Sequence, residues 1–133
     1  MKPTLTVRVY YEDTDAGGIV YYANYLKYLE RARTELLRTL GVAQRQLAEE
    51  TGLAFAVRSL TAEYLKPAQL DDFLEITTTI QTLGRAQVTF AQTVIRAGET
   101  LLTATVRVAC IDLAKGKAAA MPKPIHEKLK SLT

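Results

Sequence analysis

From residue 55 onward the chain is dominated by four runs that alternate apolar and polar residues, 55–64, 73–83, 87–96 and 100–112. Only one long helical pattern precedes them, and this pairing constrains the fold more than any other feature. Runs of 10 to 13 residues with a period of two read as strands with one buried face. Leu74, Ile76, Thr78 and Ile80 share a face, as do Val88, Phe90, Gln92 and Val94, and as do Leu102, Ala104, Val106, Val108 and Cys110. Turn signals at 68–72, Leu83-Gly84, Ala97-Gly98-Glu99 and Lys115-Gly116-Lys117 separate the runs. Over 23–40, Tyr25, Leu29, Ala32, Leu36 and Leu40 recur at helical spacing, with Leu26 and Leu37 beside them. Glu30, Arg31, Arg33, Glu35 and Arg38 mostly fill the opposite side, and Gly41 stands where a C-cap glycine belongs. A helix with one apolar face has to bury it against the sheet. The expected order is a strand over 4–10, a loop, the long helix, a shorter helix over 43–51, four antiparallel strands and a short helix over 125–132. That is a single layered α+β domain spanning 1–133. One helix cannot cover both faces and both edges of a sheet, so self-association is expected.

Composition narrows the function classes. A chain of 133 residues, 48% hydrophobic and 23% charged, makes one ordinary globular domain with a real core. The net charge of +3, without any Lys/Arg block, argues against a nucleic-acid partner and favours an anionic ligand only weakly. The single cysteine, Cys110, allows neither an intramolecular disulfide nor a cysteine-rich metal site and reads as a small core residue. No apolar run approaches the ~20 residues of a membrane helix. Lys2 is followed by no apolar signal region, so the cytoplasm is the default location.

The chemistry concentrates in residues 10–25, Tyr-Tyr-Glu-Asp-Thr-Asp-Ala-Gly-Gly-Ile-Val-Tyr-Tyr-Ala-Asn-Tyr. Two carboxylates, Asp13 and Asp15, precede a Gly-Gly pair that permits positive φ and close approach to a ligand. The helix that follows offers free N–H groups and a partial positive charge at its start. Asp13 serves either as a turn residue bonding its own backbone or in catalysis. Tyr11 either packs at the strand end or orients Asp15; Asn24 either caps the helix or lines the site. A calcium loop fails, because Gly17 offers no ligand and Asn24 stands where the bidentate glutamate belongs, so no metal is expected. The only histidine, His126, lies in the tail, which leaves no Ser/His/Asp or Cys/His arrangement.

Tyr11-x-Asp13-x-Asp15-x-x-Gly18-x-Val20-Tyr21-Tyr22-x-Asn24-Tyr25, together with the order of elements, resembles the hotdog-fold acyl-CoA thioesterases. The nearest branch is that of the Tol–Pal-associated thioesterases, akin to 4-hydroxybenzoyl-CoA thioesterase; residues 30–35, 62–68 and 106–112 carry the likeness further. The resemblance implies a hotdog fold, a long central helix wrapped by a curved antiparallel sheet of about five strands. It implies hydrolysis of an acyl-CoA thioester with no cofactor, coenzyme A being part of the substrate. By position, Asp15 matches the catalytic aspartate, either nucleophile or general base, and Gly18 the glycine that keeps the loop thin. Tyr22 falls where many Tol–Pal members have histidine; the 4-hydroxybenzoyl branch has tyrosine there and uses its backbone N–H to polarise the carbonyl. That departure adds weight to an aryl or bulkier acyl group. Tyr11, Gly18 and Asn24 would line the substrate, and Arg85 would anchor the coenzyme A phosphates ahead of Lys66 and Arg58, unless Arg85 is merely a solvated hairpin residue. The implied partners are further copies of the chain, as a dimer of hotdogs and a tetramer, and acyl carrier protein. A non-catalytic module that binds acyl-CoA or acyl carrier protein is the alternative; a dehydratase would want a histidine in the site.

Overall fold

In the computed structural model, which describes residues 4–133, the alternating runs become strands β1 (Thr4–Arg8), β2 (Leu53–Tyr64), β3 (Phe73–Leu83), β4 (Gln87–Arg96), β5 (Glu99–Asp112) and β6 (Lys117–Ala118). The helices are α1 (Tyr25–Thr39), α2 (Gln44–Thr51) and α3 (Lys123–Lys130). All strands join one antiparallel sheet in the order β1-β3-β4-β5-β2, and β6 extends along β5 beyond the end of β4. α1 lies on one face of this sheet, where Leu29 and Leu36 pack with Leu74, Ile76, Phe90, Val94, Leu102 and Val106. This is the hotdog arrangement that the resemblance implies. Burying each such Leu or Ile side chain contributes roughly 1.5–3 kcal/mol.

Extra residues make the sheet curve. Arg58 in β2 and Gln81 in β3 fall between paired positions, as does Leu101 in β5. Each such bulge bends its strand and increases the twist, which wraps the sheet round the helix. The bulge at Leu101 also turns two consecutive leucines inward, so Leu101 and Leu102 are both buried.

The buried stripe of α1 differs from the sequence expectation. It comprises Tyr25, Tyr28, Leu29, Ala32, Arg33, Leu36 and Leu37, an unbroken i, i+3, i+4 series. Leu26 is exposed instead, Leu40 lies past the helix end and is half-buried, and Arg33 is buried rather than on the solvent side. Residue type misleads here because Tyr28 and Arg33 carry polar ends on bodies long enough to fill the stripe.

The two ends of the sheet are built differently. At the C-terminus of α1, Val42 donates its N–H to Leu37 C=O and Gly41 to Arg38 C=O, both at 2.9 Å. Gly41 has φ 80°, as this helix stop requires. Leu37 and Val42 then join Cys110, Met121 and Leu129 in a second buried cluster that seals this end. The opposite end carries the loop from Val9 to Asn24, the 65–72 segment and the β4–β5 hairpin. No helix among the described residues is long and apolar enough to cross a membrane.

Candidate active site

The loop between β1 and α1 is held by its backbone. Asp15 donates its N–H to Ile19 C=O at 2.9 Å, Gly18 donates to Asp15 C=O at 3.0 Å, and Thr14 bridges Val20. These bonds close a miniature hairpin round Ala16-Gly17-Gly18. Gly18 has φ 78°, the left-handed position of a three-residue hairpin turn. Of the Gly-Gly pair it is therefore Gly18 that uses positive φ. Gly17 serves otherwise: its N–H donates to Asp15 Oδ1 at 2.8 Å, and a Cβ there would sit 3.2 Å from that oxygen. Val20 N–H donates to Ala68 C=O and Ile19 bridges Gln69, so the 65–72 segment braces the hairpin.

The two aspartates part company. Asp13 turns inward: its Oδ2 accepts Tyr10 N–H at 2.8 Å and its Oδ1 accepts Asn24 Nδ2 at 3.0 Å. Asn24 is itself buried. Both residues therefore tie the loop to the start of α1. Asp15 is exposed, and its Oδ2 accepts no hydrogen bond among the described residues. Tyr28, which sequence reasoning missed, buries its hydroxyl beside this pair without completing a hydrogen bond. Burial first, then the Asp13 carboxylate, pushes its pKa well above the usual tyrosine range. Its sequence signal is its place in the i, i+3, i+4 series.

Tyr22–Asn24 forms a single 3₁₀ turn that feeds into α1. The first N–H groups of that turn, on Tyr22 and Ala23, have no acceptor within the helix. Tyr64 donates its hydroxyl to Tyr22 C=O at 2.8 Å, and Tyr25 Oη accepts Ala68 N–H at 2.9 Å. Burial raises the pKa of both Tyr25 and Tyr64, so they act as neutral hydrogen-bonding groups. With Tyr22 they border a groove of about 320 Å³ whose other walls include Val20, Leu65 and Pro67. Tyr11, 81% exposed, borders a second open groove of about 570 Å³ with Tyr10 and Leu70. Asp15 lines neither.

The candidate anchoring residues scatter. Lys66 is paired with Glu99, which also takes Arg96 Nη2 at 3.0 Å. Arg58 sits at the bulge of β2. Arg85 lies in the β3–β4 turn, beyond Leu83, whereas the loop adjoins β3 at its Phe73 end. Eleven strand residues separate these ends, roughly 33 Å. Within one protomer Asp15 and Gly18 thus sit at the tip of the hairpin, Tyr22 and Asn24 follow it on the same loop, and Arg85 lies far away. Among the described residues no group of three or more His, Cys, Asp or Glu side chains could hold a metal ion.

Comparison with known proteins agrees with this architecture. Residues 9–129 match the thioesterase-like superfamily. The acyl-CoA thioesterase YbgC of Haemophilus influenzae is 51% identical over 119 residues, covering 90% of this chain and 88% of its own. The acyl-CoA thioester hydrolase YbgC of Escherichia coli O6:H1 is 50% identical over 125 residues, covering 93% and 92%. The crystal structure of a probable thioesterase from Bartonella henselae superposes with a TM-score of 0.85 at 36% identity, over 92% of this chain and 100% of that one. A hotdog frame, a glycine hairpin presenting an exposed carboxylate, and half-identity to two such enzymes along nearly the whole length place this chain in the thioesterase-like superfamily.

Proposed function

We propose that the protein hydrolyses an acyl-CoA thioester in the cytoplasm, releasing the free acid and coenzyme A, with Asp15 as the catalytic carboxylate. The observation that carries this reading is the hairpin 14–20. It presents the Asp15 carboxylate outward on a frame fixed to the same short turn whose Tyr22 N–H is unengaged within the helix. The names of the Haemophilus influenzae and Escherichia coli relatives give the same chemistry. Thiolate is a good leaving group, so the protein has two tasks, placing a nucleophile and stabilising the oxyanion. Asp15 attacks the carbonyl carbon itself or takes a proton from the attacking water. The N–H of Tyr22 polarises the carbonyl oxygen; one such donor is worth about 3 kcal/mol. The C–S bond then breaks and the thiolate leaves, taking up a proton as coenzyme A; where Asp15 is the nucleophile, water then hydrolyses the acyl-aspartyl anhydride, freeing the acid and restoring the carboxylate.

Gly18 keeps the hairpin thin beside the thioester, Asn24 holds the loop through Asp13, and Tyr22 with Tyr64 offers faces suited to an aryl or bulky acyl group, while Tyr11 meets the substrate from the second groove. Arg85 serves from a second copy of the chain. Among the described residues β2 pairs only with β5, which leaves its other edge open along its twelve residues. A second copy added antiparallel along that edge turns its own β3–β4 turn toward this loop. Two such dimers make the tetramer, and acyl carrier protein is a further thioester donor for the same groove.

Thiol release across a panel of benzoyl-, phenylacetyl-, short and long aliphatic acyl-CoA thioesters tests the reading. Wild-type protein turns over at least one of them. Asp15→Asn keeps the fold and assembly but slows turnover by about 10³-fold. A near-normal rate in that variant defeats the assignment of Asp15, and acyl-CoA binding without thiol release by the wild type makes the protein a binding module.

A further inference from the structure

Residues 65–72 belong to no helix or strand, yet the Asp15 hairpin rests on them. Ala68 is fully buried, and its C=O accepts Val20 N–H at 2.8 Å. The two ends of the segment are tied to the sheet by backbone bonds. Leu65 and Lys66 donate their N–H groups to Leu101 C=O, while Asp71 donates its own to Val9 C=O. Between these ends, among the described residues, two side chains hold the stretch from Pro67 to Gln69 from outside the hairpin. One is Tyr25, whose Oη accepts Ala68 N–H at 2.9 Å.

The other is Arg96, the last residue of β4. Its Nη1 donates to Pro67 C=O at 3.2 Å and to Asp72 Oδ2 at 2.8 Å. The same Asp72 oxygen accepts Gln69 N–H at 2.8 Å. Arg96 Nη2 donates to Glu99 Oε1 at 3.0 Å, and Glu99 also pairs with Lys66. One guanidinium thus ties the β4–β5 hairpin to both sides of Ala68. Its planar fork of donors suits a carbonyl and two carboxylates at once, which a lysine ammonium on a flexible stem does not. With 28% of the side chain exposed, these ion pairs add little to stability. What they fix is position. From Pro67 and Asp72 the contacts pass to Ala68 and Gln69, then to Val20 and Ile19, and Ile19 C=O accepts Asp15 N–H.

We propose that Arg96 is a positioning residue for the thioester reaction: by pinning 67–72 it sets where the hairpin holds the Asp15 carboxylate. Arg96 lines neither groove beside the loop, so it acts through the backbone and not on the substrate. The proposal rests on the reading of Asp15 as the catalytic group. A displacement of about 1 Å at such a group costs on the order of 10²-fold in rate.

Arg96→Met in the full chain tests this with two readouts, steady-state kinetics on a thioester that the wild type turns over and amide hydrogen exchange. The variant should lose about tenfold or more in kcat per folded molecule, with KM within about threefold of wild type. Val20 N–H should exchange at least about tenfold faster. Arg96→Lys should fall between the two proteins in both readouts; where Arg96→Met does not fold, Arg96→Lys decides. Asp15→Asn combined with Arg96→Met should be no slower than Asp15→Asn alone, because Arg96 acts through that carboxylate. Wild-type kcat in folded Arg96→Met or Arg96→Lys, a rise in KM with kcat unchanged, a further tenfold loss in the combined variant, or an equal kcat loss in Met121→Ala at the far end of the sheet would each overturn the role. Exchange at Val20 does not depend on turnover, so the two readings fail separately. Unchanged exchange in Arg96→Met overturns the link from Arg96 to the hairpin, whereas a near-normal rate in Asp15→Asn overturns the catalytic reading beneath it.

Discussion

The two ends of the half-barrel solve the same problem with opposite side-chain economies. At the end closed by α2 and α3, the chain turns through Gly41 and buries Leu37, Val42, Met121 and Leu129 together, with Leu40, Leu53 and Ile125 half-buried against them. At the other end the backbone is just as firmly bonded, through Asp13, Gly18, Val20 and the 65–72 segment. There, however, Tyr10, Tyr11, Tyr21, Tyr22, Leu65 and Phe73 stay exposed. Burying them would add stability, so leaving them out is not a packing solution. A fixed backbone that holds large aromatic groups in solvent marks a surface built to be covered by something else. The comparison separates the residues that hold the fold from those that the fold holds for use.

Asp15→Asn is the strongest test of that division, because a loss near 10³-fold in rate should arrive with no change in melting temperature. Met121→Ala should do the reverse at the closed end. It removes a buried side chain and should cost about 2–4 kcal/mol in denaturant unfolding, while kcat per folded molecule stays at the wild-type value; a matching loss of kcat would erase the division between the ends. Asp13→Asn falls between them. It replaces a carboxylate that accepts from both Tyr10 N–H and Asn24, and should cost about 1–2 kcal/mol. It should also slow turnover by loosening the loop, and an unchanged rate would show that the loop tolerates movement. The smallest effect is expected from Tyr28→Phe, whose hydroxyl is buried without a hydrogen bond. Its stability should stay within about 1 kcal/mol of wild type, and a larger loss would mean that the hydroxyl is bonded to Asp13 after all.

Much of this was legible beforehand. The four alternating runs, the helix stop at Gly41 and the burial of Cys110 follow from patterns within a few residues of chain. The Gly-Gly pair announced a positive φ, but that Gly18 takes it and closes a hairpin over 14–20 was not read from the chain. The boundaries moved by only one or two residues: the first strand ends at Arg8 instead of residue 10, and β2 begins at Leu53. Arg33 was misplaced because charge was taken as a sign of solvent, although its helical phase already put it on the stripe. The separate fates of Asp13 and Asp15 were legible in part: the motif set Asp15 apart, and the turn reading of Asp13 agrees with its bond from Tyr10 N–H. That Asp13 also takes Asn24, eleven residues on, was not legible.

By itself the sequence determined which segments are helix and strand, and which faces are apolar, because those follow from the local periods of the backbone. It also carried the motif that points to thioester chemistry. The tertiary structure alone decided that Arg33 meets Gln92, and that Arg85 lies at the far end of β3 from the loop. Both depend on which strands pair and in what register. Pairing joins residues tens of positions apart, and no period read along the chain records it.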